Sequence, residues 1–207
     1  MPDNVHVSES EFYFSSRPSS QVKRHIVTVP VAGRDVTLHS ASGVFSATRL
    51  DPGTAVLLRK APLPTAKGSY LDLGCGYGPI AISLALTSSG QVTAVDVNSR
   101  ALELVDTNAR ELEVDVTAVQ PHDVPADAMF DEIWSNPPIR VGKSELHDLL
   151  DEWLPRLKPG GVAWLVVARH KGADSLVDWL NARGRPTEKY ASAKGYRVLR
   201  VRSEHCA

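Results

Sequence analysis

Two periods run through the chain, one of two residues and one near 3.6. From Arg24 to Val31 and from Asp35 to His39, β-branched residues flank Ala32-Gly33-Arg34, a pattern that predicts a hairpin. A loop, Gly43-Val44-Phe45-Ser46, follows. Asp51-Pro52-Gly53-Thr54 then reads as the cap and first turn of a helix over 55–60, which Pro62-Leu63-Pro64 ends. Tyr70, Leu71 and Leu73 form a short apolar run of the kind that makes a buried strand. Three glycines, Gly74, Gly76 and Gly78, come next, and Pro79 opens an apolar, helix-like stretch over 80–86.

Beyond the glycines, strands and helices alternate. The pattern predicts strands over 91–96, 115–119, 130–135 and 162–168, the last after a turn at Lys158-Pro159-Gly160-Gly161. It predicts a helix over 100–112 capped by Ser99, a second capped by Ser144 with Leu146, Leu149, Leu150, Trp153 and Leu154, and a third over 174–181. Two closing strands, 187–191 and 196–202, are joined by Ala193-Lys194-Gly195 and must be antiparallel. Such alternation implies an α/β fold with a mostly parallel sheet and right-handed crossovers. We expect 1–66 to form an arm, hairpin and helix packed on a globular core of 67–207, without a second domain. The tryptophans Trp153, Trp164 and Trp179 fall on apolar faces and are expected in the core.

Composition narrows the class. At 207 residues and 43% hydrophobic, the chain can bury one well-packed core. No apolar run approaches a membrane span of about 20 residues. The first ten residues lack the basic and apolar regions of a secretory signal. Cys75 and Cys206 form no CxxC pair, and the seven histidines are scattered, so neither a disulfide framework nor a metal site is expected. These features predict a cytoplasmic protein. Net charge is −1, but residues 1–68 carry +3, 69–168 carry −9 and 169–202 carry +6. An acidic centre with basic flanks suits a cofactor-binding core whose ends face a polyanion.

The strand ends carry the chemistry. In an open α/β sheet, ligands bind beyond the carboxyl ends of the strands. Asp72, Asp96, Asp123 and Asn136 fall at four successive strand ends. Asp72 is placed to accept from a ligand amine, and Asp96 to accept from a ribose diol, whose two hydroxyls can both donate to one carboxylate. Asp123 is placed to accept from an adenine amine, with Val124 against the ring. Asn136-Pro137-Pro138-Ile139 is a stiff loop, because each proline fixes φ and removes a donor. It offers acceptors, the Asn136 side-chain oxygen and the Pro137 carbonyl. Two converging acceptors match a planar NH2 group and can turn its lone pair out of the ring plane, so positioning does the catalysis and no strong base is needed.

The spacing Asp72-x-Gly74-x-Gly76-x-Gly78 resembles motif I of class I S-adenosylmethionine methyltransferases. With Phe12-Tyr13-Phe14-Ser15 to Pro18, Gly43 to Ser46, Asp51 to Thr54, Asn136 to Lys143 and Lys194-Gly195-Tyr196, the chain resembles the RsmC-like small-domain methyltransferases, which modify guanine N2 in 16S ribosomal RNA. The resemblance implies a Rossmann-like, seven-stranded sheet with helices on both faces, one antiparallel strand near the C-terminus and the hairpin as an extension. It implies S-adenosylmethionine as cofactor, no metal, and ribosomal RNA or a small-subunit particle as partner of a monomer or weak dimer. The cofactor residues it implies are Asp72, Gly74, Cys75, Gly76, Tyr77, Gly78, Asp96, Val97, Asn98, Asp123, Val124 and Asn136. The catalytic set is Asn136, Pro137, Pro138 and Ile139, and the RNA-facing set is Phe45, Arg140, Lys143, Arg169, Lys171 and Lys194. Larger relatives carry an extra N-terminal methyltransferase-like half that this sequence does not show. Many enzymes with this loop have an aromatic residue where Ile139 stands. A protein glutamine amide and adenine N6 remain alternative targets, as does a non-catalytic RNA-binding factor that holds the cofactor.

Overall fold

The computed structural model describes residues 22–137 and 142–203. The aromatic arm at 12–18, Pro138 to Val141, and Cys206 therefore lie outside the described residues, as does the side chain of Lys171. Strands β1 (Arg24–Val31) and β2 (Arg34–Ala41) pair antiparallel, with Val31 opposite Arg34 across a two-residue turn. Ala32 and Gly33 both take positive φ there, as tight hairpins require.

Helix α1 (Pro52–Lys60) begins where the sequence places its cap. The Asp51 carboxylate accepts from the N–H groups of Gly53 at 2.7 Å and Thr54 at 3.0 Å, satisfying two donors that a helix start leaves open. The rest alternates: β3 (Ser69–Leu73), α2 (Pro79–Thr87), β4 (Gln91–Val95), α3 (Ser99–Glu111), β5 (Val116–Val119), β6 (Phe130–Ser135), α4 (Lys143–Trp153), β7 (Leu157–Ala168), α5 (Ala173–Ala182), β8 (Thr187–Ala193) and β9 (Tyr196–Arg202).

Seven strands form one sheet in the order β5-β4-β3-β6-β7-β9-β8. β3 to β7 pair in parallel, and β9 runs antiparallel to both of its neighbours. Alternate residues feed opposite faces. Tyr70, Trp134 and Val198 join the core beneath α1, α2, α3 and the hairpin, whereas Leu71, Ile133 and Leu199 join the core beneath α4 and α5. Val29, Leu38 and Leu57 are fully buried in the first of these, so hairpin and α1 share a core with the glycine-loop helix. Trp153 and Trp164 are core residues, as expected, and Trp134 joins them; Trp179, also expected there, is only half-buried and stacks on His147.

Three local expectations are corrected. Asn98, not Ser99, caps α3, because its longer side chain reaches the Arg100 N–H at 3.0 Å. Gly142 stands before α4, and the Ser144 hydroxyl turns to Glu145 instead. Lys158 to Gly161 belongs to β7: Leu157 pairs with Phe130, a bulge follows, and pairing resumes at Val162 opposite Glu132. The two glycines there accommodate the bulge and do not end the strand.

Candidate active site

Because β3 to β7 are parallel, their carboxyl ends open on one edge of the sheet, and the predicted residues gather along it. Gly74 and Gly76 adopt φ of +75° and +55°. A Cβ on Gly74 would meet nothing within 4 Å, and one on Gly76 would meet only Val44 Cγ1 at 3.9 Å. The loop therefore borders open space where backbone can approach a ligand. Its fold is tied to β4: the N–H groups of Gly74 and Cys75 donate to the Val95 carbonyl at 2.8 and 3.0 Å.

Asp72 is wholly buried at the end of β3. Its Oδ2 accepts from the Ala81 N–H at 2.8 Å, while Oδ1 has no partner among the described residues. Burial pushes its pKa up to about 8, against the Ala81 hydrogen bond and helped by the nearby charge of Asp96. Asp96, one strand over, holds the loop with both oxygens: Oδ2 accepts from Gly76 N–H at 2.9 Å and Oδ1 from Asn98 N–H at 2.9 Å. Burial raises its pKa too, opposed by backbone N–H groups of Asn98, Gly76 and Val97.

The other predicted cofactor residues divide. Tyr77 is buried with an Oη unpartnered among the described residues, and burial together with the Asp51 charge pushes its pKa up. Val97 stands exposed beside Asp96. Asn98 is buried and its side chain is spent, donating to the Gly43 carbonyl at 2.8 Å while capping α3. Cys75 is a buried filler whose thiol faces the Gly76 carbonyl at 3.6 Å; burial raises its pKa well above the usual thiol value, which suppresses the thiolate. Asp123 sits exposed in a one-turn 3₁₀ segment with His122 3.6 Å away, and Val124 packs into the second core.

At the end of β6, Ser135 Oγ donates to the Leu73 carbonyl at 2.7 Å and ties the Asn136 segment to the glycine loop's strand. Asn136 Nδ2 donates to Asp51 Oδ1 at 2.8 Å and to Thr54 Oγ1 at 3.0 Å. A carboxylate only accepts, so the amide nitrogen must face Asp51 and the amide oxygen must face away. Sequence marks Asp51 and Thr54 only as a helix start. It also passes over Asn108 of α3, whose Nδ2 donates to the carbonyls of His39 at 3.0 Å and Tyr77 at 2.9 Å while Oδ1 accepts from His39 N–H at 2.7 Å. A polar residue on an otherwise apolar helix face is its sequence signal. Arg100 Nη1 donates to the Ser42 carbonyl at 2.8 Å, fixing the loop that carries Val44 and the half-buried Phe45 over the glycines.

Several cations of the basic C-terminal segment are paired within the chain. Lys189 and Arg197 pair with Asp174, Arg200 with Glu188, and Arg183 and Arg185 with Asp151. Lys143, Arg169 and Lys194 are exposed and carry no ion pair among the described residues. They are neighbours: Arg169 N–H donates to the Gly195 carbonyl at 2.9 Å, and the Lys143 side chain lies 3.7 Å from where a Gly172 Cβ would stand. Arg140 falls outside the described residues. Among the described residues, no cluster of His, Cys, Asp or Glu could hold a metal, and no helix is long and apolar enough to cross a membrane.

A glycine loop after the first sheet strand, acids at the next strand ends and a reversed last-but-one strand define the class I methyltransferase fold. The model of the methyltransferase small domain family matches residues 35–200, and the chain belongs to that family. It is accordingly a methyltransferase by family. It is 32% identical over 198 residues to the Bacillus subtilis (strain 168) protein YbxB, covering 93% of this chain and 98% of that one. It is 33% identical over 158 residues to ribosomal RNA small subunit methyltransferase C of Shewanella loihica, covering 73% of this chain and 45% of that one. Among solved structures it resembles the Thermus thermophilus 16S rRNA N2 G1207 methyltransferase in complex with AdoMet and guanosine, with TM-score 0.74, 25% identity, and coverage of 90% of this chain and 52% of that chain. The chain thus spans about half the length of the ribosomal RNA methyltransferases it matches.

Proposed function

We propose that this chain methylates the exocyclic N2 of a guanine in small-subunit ribosomal RNA, with 67–207 as the catalytic core and 1–66 packed on it. The observation that carries the reading is the Asn136 amide, whose nitrogen is engaged inside the chain so that its oxygen is left as an outward acceptor beside the glycine loop. S-adenosylmethionine fits the residues present: an unpartnered buried carboxylate oxygen on Asp72, an unpartnered hydroxyl on Tyr77 and open space over Gly74. Asp72 and Tyr77 would meet its amino-acid end and Asp96 its ribose, with Val97, Asp123 and Val124 toward the adenine. When bound, the cofactor supplies an electrophilic methyl group.

The chain's own work is to hold the acceptor amine. Asn136 Oδ1 and the Pro137 carbonyl take its two hydrogens, which orients the nitrogen lone pair and withdraws it from the ring. Pro138 and Ile139, expected in the same set, lie outside the described residues. Lys143, Arg169 and Lys194, with Phe45, are the described residues of the RNA-facing edge. The matched rRNA methyltransferases and the guanosine-bound neighbour support this target.

The test is single-turnover transfer from labelled S-adenosylmethionine to 16S RNA and to small-subunit particles, followed by nucleoside mass spectrometry. N2-methylguanosine is the expected product, and Asn136→Ala should slow its formation by about 10²–10³ while leaving cofactor affinity intact. Label appearing in protein glutamine or in N6-methyladenosine would move the target to those amines. Asn136→Ala turning over like wild type would remove the catalytic assignment.

A further inference from the structure

We propose that Asp51 and Thr54 are positioning residues, a clasp that holds the Asn136 amide with its oxygen toward the acceptor amine. This rests on the catalytic reading of Asn136 above. The two residues lie 85 and 82 positions before Asn136, on the first turn of a helix outside the core segment.

The geometry favours a clasp over a coincidental approach. One atom, Asp51 Oδ1, accepts three hydrogen bonds: from Gly53 N–H at 2.7 Å, from Thr54 N–H at 3.0 Å and from Asn136 Nδ2 at 2.8 Å. The two backbone donors fix that oxygen to the helix axis, so the amide is referred to a rigid element. Thr54 Oγ1 takes the second amide hydrogen and is almost fully buried. With both hydrogens engaged, the Asn136 side chain can only accept from a substrate. A charged partner on the nitrogen also polarises the amide and strengthens its oxygen as an acceptor.

The cap turn itself is wedged in place. A Cβ on Gly53 would lie 2.9 Å from Asp51 Oδ1 and 2.9 Å from Tyr196 Cε1, so the turn packs on the ring that follows Lys194-Gly195. Tyr196 opens β9 opposite Ala168, at the same edge of the sheet. Three separated stretches, 51–54, 136–137 and 194–196, thus meet at one corner. A cap that served only α1 would need neither the Thr54 hydroxyl nor a side chain as long as aspartate.

Four variants separate clasp from cap. Thr54→Val removes one acceptor at constant shape, and Thr54→Ser restores it. Asp51→Ser keeps an efficient helix cap but is too short to reach Asn136. Asp51→Asn keeps the Oδ1 acceptor and loses its charge. Two readouts are taken on the full chain. The first is exchange of the Asn136 side-chain amide protons with water by NMR in the cofactor-free protein, the resonances assigned by their loss in Asn136→Ala. The second is single-turnover transfer to small-subunit RNA beside S-adenosylhomocysteine affinity by calorimetry.

The wild-type amide should be protected. Thr54→Val and Asp51→Ser should lose that protection and slow transfer roughly tenfold to a hundredfold, with S-adenosylhomocysteine affinity within about twofold of wild type. Thr54→Ser should recover both, and Asp51→Asn should keep protection with a smaller rate loss. An unprotected wild-type amide would overturn the clasp. So would wild-type transfer by Thr54→Val and Asp51→Ser while Asn136→Ala is inactive, a result that leaves the proposed function standing. Full activity of Asn136→Ala would remove both together.

Discussion

Asp72 makes the protein's stability depend on pH in a direction opposite to that of most carboxylates. It is wholly buried, and its pKa lies near 8 in the folded chain against a usual value of 3.8. Between those values the folded protein holds a proton on Asp72 that the unfolded chain has released. The native state therefore binds one proton more, and unfolding free energy falls as pH rises. The contribution is fully present below the lower value and is lost as pH passes through the upper one. For one proton the slope is about 1.4 kcal/mol per pH unit, so roughly 3 kcal/mol disappears from about pH 5 to pH 7. Asp72→Asn keeps an oxygen for the Ala81 N–H and cannot titrate. Urea unfolding of both cofactor-free proteins at about pH 5, 6 and 7 isolates the effect, because every other group cancels in the difference. The difference should move by about 3 kcal/mol in the variant's favour across that range, whatever its offset. A constant difference would mean that Asp72 is ionised in the folded protein. A cationic amine beside Asp72 would draw its proton off, so S-adenosylhomocysteine affinity should rise up to tenfold for each pH unit as pH increases toward about 8, and this dependence should vanish in Asp72→Asn.

Three further outcomes are expected. Asp96→Ala should weaken S-adenosylhomocysteine binding by about 1–3 kcal/mol in calorimetric titration, and unchanged affinity would exclude a ribose hydrogen bond. Replacing Lys143, Arg169 and Lys194 together by Gln should flatten the salt dependence of RNA binding by about 0.7–0.9 in log–log slope for each phosphate no longer neutralised, whereas Lys189→Gln and Arg200→Gln should leave it unchanged because those cations are paired. Asn136→Asp sets a second carboxylate against Asp51, and like charge raises the pKa of the new acid. It should outperform Asn136→Ala at the acid end of the assay range, where protonation lets the new acid donate to Asp51 as the amide did, and lose that advantage as pH rises. A ratio constant across that range would show that Asp51 does not touch position 136.

Much of the fold was legible because its signals are local. Alternation of short apolar runs with 3.6-period segments pointed to the parallel sheet. β6 begins and ends where its apolar run predicts, at Phe130 and Ser135. Glycine-rich punctuation marked the loop after β3. The carboxyl-end residues were legible for a geometric reason: in parallel strands every such end opens on one edge. Errors arose where two local meanings compete. Lys158-Pro159-Gly160-Gly161 is turn chemistry, yet pairing of Leu157 with Phe130 and Val162 with Glu132 holds it inside a bulged strand. Asn98 and Ser99 are both good caps, and only the three-dimensional position of Gly43 decides which side chain is spent there.

Charge and polar interactions were less legible because they depend on partners distant in sequence. An excess of +6 in 169–202 is a property of composition, but a surface potential belongs to charges without neighbours of opposite sign. Asp151, outside the segment, neutralises Arg183 and Arg185, and Asp174 faces both Lys189 and Arg197. Among the described residues, the exposed cations of the segment without an ion pair are Arg169 and Lys194, near Lys143, and Arg202 at the far end of β9. Asp51 shows the same effect for hydrogen bonds. Its local role, capping α1, satisfies every expectation that sequence can raise, so nothing marks the third bond its oxygen accepts. That bond couples a helix start to a strand end 85 residues later, and with it the hairpin-bearing segment becomes part of the site. On the role proposed for Asn136, α1 holds the amide nitrogen from outside 67–207: without it, the side chain would be free to turn its NH2 toward the acceptor amine.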